Sequence, residues 1–107
     1  MEIKVMNILQ KDYNDDEDFF LSCEVFIGPE NKSYEYEVYS FYVISVKRLY
    51  EEFQDHGIML NKGWMITKYY DENTMKKKIR SIINNCISDT DEKTYLNIGS
   101  YFIMQES

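Results

Sequence analysis

Residues 19–44 set the frame into which the rest of this chain must fit. Phe19-Phe20-Leu21-Ser22-Cys23-Glu24-Val25-Phe26-Ile27 puts Phe19, Leu21, Cys23, Val25 and Ile27 at every second position. Successive side chains of a strand point to opposite sides, so this alternation predicts a strand with one core-facing surface. Gly28-Pro29-Glu30-Asn31-Lys32 then interrupts it, with Gly and Pro as turn-formers and Asn tolerant of left-handed angles. Ser33 to Ile44 returns as a second strand rich in Tyr, Val and Phe, which suit a pleated, half-buried surface. In it Tyr34, Tyr36 and Val38 share one face and Glu35, Glu37 and Tyr39 the other. Past Ser40 both faces turn apolar through Phe41, Tyr42, Val43 and Ile44, which requires a bulge or a strand covered on both sides. The expected result is a long hairpin.

The flanking segments extend this sheet. Glu2 to Leu9 reads as a first strand, and Gln10 to Asp18 as a polar loop carrying Asp12, Asp15, Asp16, Glu17 and Asp18. A calcium loop starting at Asp12 is excluded, because Glu17 and Cys23 occupy the offsets of its Gly and its bidentate Glu. The acidic loop is thus a solvated connector or a contact surface. Ser45 is a good N-cap for a helix from Val46, with Val46, Leu49, Tyr50 and Phe53 on one helical stripe. His56 and Gly57 are expected at its end. Trp64 to Tyr70 has apolar residues on both faces and predicts an interior strand, covered on one side by helices. After Asp71-Glu72-Asn73, a longer helix places Met75, Ile79, Ile82, Ile83, Cys86 and Ile87 on one face, leaving Lys76, Lys77, Lys78 and Arg80 on its wet side. Thr90 caps a short helix ending at Gly99, and Ser100 to Glu106 reads as a closing strand. Strands in runs with helices inserted, and no regular βαβ alternation, give an α+β fold. We expect one domain over residues 1–107, a mainly antiparallel sheet of an N-terminal strand, a long hairpin and further strands, with two to three helices packed on it.

The net charge of −7 is unevenly placed. Residues 1–37 hold ten acids and three bases, whereas residues 38–107 hold nine of each. That argues against nucleic acid as a ligand, since phosphate binding needs a basic surface. It allows a basic protein partner, although on charge alone an acidic surface more commonly serves solubility. Cys23 and Cys86 offer neither metal-ligand spacing nor a redox motif and are expected as buried free thiols. No stretch approaches the ~20 apolar residues of a membrane span, and Met1-Glu2-Ile3-Lys4 does not open a signal peptide. We therefore expect a cytoplasmic protein with no membrane association. A Gly-rich phosphate loop, a metal set and a nucleophile elbow are all absent. Glu51 and Glu52 lie on the polar side of the first helix, and His56 reads as a solvated helix-end residue. Neither catalysis nor a cofactor is expected.

Val25-Phe26-Ile27-Gly28-Pro29, a polar turn, and an aromatic-rich strand reaching Val43-Ile44-Ser45 and then Leu49 resemble the front half of the immunity protein 8 family. Met65-Ile66-Thr67-Lys68-Tyr69-Tyr70-Asp71 is similar to that family's strand ending in Tyr-Asp before a helix. Asp89-Thr90, then Leu96, Tyr101-Phe102 and Glu106, resemble its terminal motif, so the likeness spans roughly residues 19–106. It implies an immunity protein of a bacterial polymorphic toxin system, which binds a cognate toxin domain and blocks it without chemistry of its own. The acidic first third would then meet a basic toxin surface. The expected contacts are Asp12, Asp15, Asp16, Glu17, Asp18, Glu30, Glu35 and Glu37, with Tyr34, Tyr36 and Tyr39 as aromatic anchors. Two alternatives stand: a small acidic adaptor or regulatory protein for another basic protein, and a small hydrolase or ligand-binding domain, which would need a deep pocket lined by the tyrosines together with Glu51 or His56.

Overall fold

The structure, a computed structural model, describes residues 1–105. Its elements follow the order β1 (Glu2–Asp15), β2 (Asp18–Gly28), β3 (Glu37–Ser45), α1 (Val46–His56), β4 (Trp64–Thr67), α2 (Glu72–Cys86), α3 (Asp91–Ile98) and β5 (Ile103–Met104). The strands form one sheet in the order β1-β2-β3-β4, with β5 beside β3. All pairings are antiparallel except β3 with β4, so the expected α+β architecture is what the chain adopts. The parallel pair arises because α1 forms the crossover between its two strands, as parallel strands require. β4 and β5 divide one edge of β3 end to end, β5 at Tyr39–Ser40 and β4 at Tyr42–Ser45.

The inner face is where the alternation pointed. Phe19, Leu21, Cys23, Val25 and Ile27 of β2 and Tyr39, Phe41 and Val43 of β3 are all buried. Met75, Ile79, Ile82, Ile83 and Cys86 of α2, Ile98 of α3 and Phe102 complete this core. Asp71 caps α2, its Oδ1 accepting the N–H groups of Asn73 (3.0 Å) and Thr74 (3.3 Å). Thr90 caps α3 through the Lys93 N–H at 3.2 Å. Ser45 caps α1 and is itself fully buried, its Oγ accepting from the Arg48 and Phe19 N–H groups, both at 3.2 Å. Gly57 ends α1 with φ 74°, its N–H donating to the Phe53 carbonyl. Among the described residues no helix is long and apolar enough to cross a membrane.

Several expectations change, and one alternative is decided. The segment from Gln10 is not a loop: β1 continues to Asp15, and only Asp16 and Glu17 turn the chain into β2. An edge strand with one partner needs no apolar alternation, so polarity concealed it. The second hairpin strand starts at Glu37, not Ser33, because β2 already ends at Gly28 and the last paired residues are Ile27 and Glu37. Apolar residues on both faces past Ser40 require no bulge, since the β2–β3 register runs unbroken from Phe20↔Ile44 to Ile27↔Glu37. Ile44 is fully buried opposite Val43, so the strand is covered on both sides there. β4 spans only Trp64–Thr67 and is an edge strand rather than an interior one. Ile87 lies just past the end of α2 and is exposed. The closing strand is the short β5, and Glu106 lies outside the described residues.

Candidate functional site

The residues expected as contacts fall at two ends of the sheet. Asp12, Asp15, Asp16, Glu17 and Asp18 surround the β1–β2 turn, whereas Glu30, Tyr34, Glu35 and Tyr36 belong to the β2–β3 turn, with Glu37 opening β3. β2 runs between the two, and its ten residue steps at roughly 3.3 Å separate them by about 33 Å. The negative first third is therefore two acidic ends, not one patch.

The β1–β2 turn is tied down from several directions. Arg48 of α1 donates from Nε to Asp18 Oδ1 at 2.8 Å and from a terminal guanidinium nitrogen to Asp12 Oδ2 at 2.9 Å. Asn14 donates to the other Asp18 oxygen at 2.9 Å. The hydrogen bonds from Asn14 and Arg48 hold the Asp18 carboxyl below the usual carboxylate range. Asp15 accepts the Glu17 N–H at 2.8 Å, and the Tyr13 hydroxyl donates to Asp16. Tyr70 clamps the turn from the far side. Its N–H donates to the Asp16 carbonyl at 2.8 Å, and its ring meets those of Tyr13 and Phe19 edge-on at 5.5 and 5.3 Å. The Lys11 ammonium lies 4.5 Å from the Tyr70 ring centre. Asp12 and Asp18 thus share one guanidinium, and the charge offered to solvent comes from Asp15, Asp16 and Glu17. Asp18 is buried, which removes it from the expected contact surface.

At the opposite end Lys4 donates to the Pro29 carbonyl at 2.6 Å and to Glu2 at 2.9 Å. The Phe26 and Tyr36 rings lie 5.0 Å apart. Tyr34 projects freely, 82% exposed. Tyr39 is no surface anchor: it is fully buried, and its hydroxyl donates to the Tyr95 carbonyl at 2.8 Å. Its parity with Phe41 and Val43 on the inner face decides that. A shallow cleft of about 330 Å³ joins Glu37 to Glu92, Tyr95, Leu96 and Met104. Burial raises the Tyr95 hydroxyl pKa, and Asp91, Glu37 and Glu35 raise it further. Asp91 and Glu92 read in the sequence only as helix-start acids. Nothing local signals their meeting with β3.

Two further clefts flank β4. One, about 360 Å³, lies between β4, α2 and Tyr101-Phe102, with Lys78 its one charged lining residue among those described. The other, about 470 Å³, is open and lies between the end of α1 and Trp64, where His56 Nε2 stands 3.5 Å from Glu52. Among the described residues no tyrosine, serine, threonine or cysteine lines this second cleft. Cys23 and Cys86 are buried free thiols, and burial pushes the Cys23 thiol up to about 12.

A sequence profile described as Immunity protein 8 matches residues 1–104, nearly the whole chain. The chain belongs to the immunity protein 8 family. No curated protein and no solved structure matches it. The match takes in β1 and its acidic extension, which the motif resemblance from residue 19 onward had left out. The element that departs most from expectation is α1. No residue of that helix is buried. Of the expected stripe Val46, Leu49, Tyr50 and Phe53, Leu49 is partly covered and the other three are 52, 65 and 42% exposed. The periodicity identified the helix correctly; it carried no information about which side of the helix would be covered.

Proposed function

We propose that this chain binds a cognate bacterial toxin domain and neutralises it by occupying its surface, without chemistry of its own. The family match over residues 1–104 carries this reading. The partner we infer is basic, and the contact set is the expected list without Asp18 and Tyr39. It comprises the turn carboxylates Asp15, Asp16 and Glu17 with neighbouring Asp12 at one end, and Glu30, Tyr34, Glu35, Tyr36 and Glu37 at the other. The pinning of the first turn by Arg48 and Tyr70 supports its use, because a carboxylate set already held in place loses little freedom on binding. Charges of this kind act mainly on the rate and selectivity of encounter.

The test is a pull-down and toxicity assay with the product of the gene immediately upstream, at low and moderate salt. Binding that protects producing cells is the expected result. Binding without protection, or protection without binding, would refute neutralisation by occupancy.

A further inference from the structure

β1 and β4 stand at the two ends of the strand order, and as edges they differ. β1 breaks register with its partner between Ile3 and Val5, Ile8 and Gln10, and Tyr13 and Asp15. Irregularities of that kind spoil an edge as a template for another strand. β4 pairs with β3 without a break from Tyr42↔Trp64 to Ser45↔Thr67. The 360 Å³ cleft lies along its other side. Five consecutive residues, Gly63 to Thr67, line that cleft, whereas one face of a strand would offer only every second residue. The cleft therefore follows the edge that β3 leaves free. The Tyr42 N–H donates to the Gly63 carbonyl at 2.8 Å, so Gly63 turns its carbonyl toward β3. Backbone direction alternates along a strand, which turns the N–H and C=O groups of Trp64 and Ile66 to the open side. Facing them is one side of α2, from Thr74 through Met75 and Lys78 to Ile82. Four strand steps at roughly 3.3 Å and eight helix steps at roughly 1.5 Å give two walls of matching length, about 12–13 Å.

We infer that this groove takes an extended segment of the toxin, which joins the sheet as a strand beside β4. The inference rests on the immunity reading above and adds how the partner is held. Unpaired backbone groups in line along a regular edge are matched by the backbone of another strand. Met75, Ile82 and Phe102, all buried, give an apolar floor for the inward side chains of such a strand. Charge narrows the segment to one that carries a carboxylate. Lys78 lies on the groove side of α2, and among the described residues no carboxylate forms an ion pair with it. Lys76, Lys77 and Arg80 lie roughly 100° or more round the helix and take no part. Lys62 and Lys68 stand immediately before and after the lining residues of β4, while Asp71, at the head of α2, is taken up by the N–H groups of Asn73 and Thr74. The groove also adjoins the acidic turn. Tyr70, three residues past Thr67, donates its N–H to the Asp16 carbonyl, so a toxin steered by that turn arrives beside the groove. A second copy of this chain, pairing through its own β4, would bring another Lys78 rather than a carboxylate.

The test is Ile66→Pro, with Lys78→Glu beside it, each titrated calorimetrically against the purified upstream-encoded protein alongside the unaltered chain. Proline is tolerated on an edge strand where its missing N–H faced outward, so pairing with β3 is kept while the ring obstructs an incoming strand. Lys78 is exposed, so its variant should melt within a few degrees of the unaltered chain and carries the test if the proline variant unfolds early. Affinity should fall about tenfold or more in each. The Trp64 and Ile66 amides, quick to exchange in the free chain, should be protected in the complex of the unaltered chain. If the unaltered chain binds while those amides stay unprotected, or while the folded variants bind equally well, the groove is wrong and the immunity reading stands. If the unaltered chain neither binds nor protects cells, both fall. Sedimentation and native mass spectrometry of the free chain cover the remaining occupants. A dimer that Ile66→Pro splits, or a small apolar anion that Lys78→Glu releases, would overturn the inference.

Discussion

Gly28 is held to glycine by crowding, not by backbone angle. A Cβ built there would sit 2.0 Å from the Glu35 carbonyl oxygen and 3.0 Å from its carbon, both backbone atoms that cannot swing aside. Gly28→Ala should therefore cost about 1–3 kcal/mol of stability, as overpacking does, read as a lower urea midpoint. Asp18 gives the acid limb of stability its sign. Its folded pKa is lowered, so its contribution is fully present above the ordinary carboxylate value of about 3.9 and is lost as pH falls through the lower, folded one. The melting temperature should drop on acidification below about pH 4, and Asp18→Asn should lower it at neutral pH while flattening that drop. A thiol at about 12 inside the core predicts that Cys23 resists Ellman's reagent at pH 8 until urea unfolds the chain. Rapid labelling of the native protein would contradict the packing. At this scale the sequence was legible wherever a residue's job is local: Ser45 and Thr90 sit where cap chemistry put them, and Asp71 stands at the opening of α2. Tyr39 was misplaced because a tyrosine in a strand carries no mark of which face is covered.

The elements divide in the same way. β2, β3, α1, α2 and α3 were recognisable from period and caps, since each declares itself within its own residues. β1 beyond Leu9 and the edge position of β4 were not, because pairing and coverage are decided by other parts of the chain. Ser45 joins two elements: one hydroxyl serves both the first turn of α1 and the buried N–H of Phe19 at the head of β2. Ser45→Ala should thus cost more than a cap alone, about 2–4 kcal/mol from the lost cap and the orphaned N–H together. Thermal unfolding of the variant, with the α1 amides followed by hydrogen exchange, would show whether the helix frays first. A loss under 1 kcal/mol would mean that water replaces the hydroxyl at Phe19.

Across the whole molecule, 43 × 25 × 25 Å, the two acidic ends lie at opposite ends of β2, so a partner that meets both must span about 33 Å. A partner steered by the β1–β2 turn should lose association rate and salt dependence when Asp15, Asp16 and Glu17 become amides, with stability unchanged. The matching change at Glu30 and Glu35 should leave that rate nearly as it was, and stopped-flow mixing separates the two. Composition revealed the excess of acids but not its division, because only the β2 span sets the distance. Since α1 buries none of its side chains, substitutions on its outward stripe should each shift stability by about 0.5 kcal/mol or less. The α2–α3 core has no such latitude. A lineage pursued by a changing partner could thus rewrite the outer side of one helix, residue by residue, while the protein that carries it goes on folding as before.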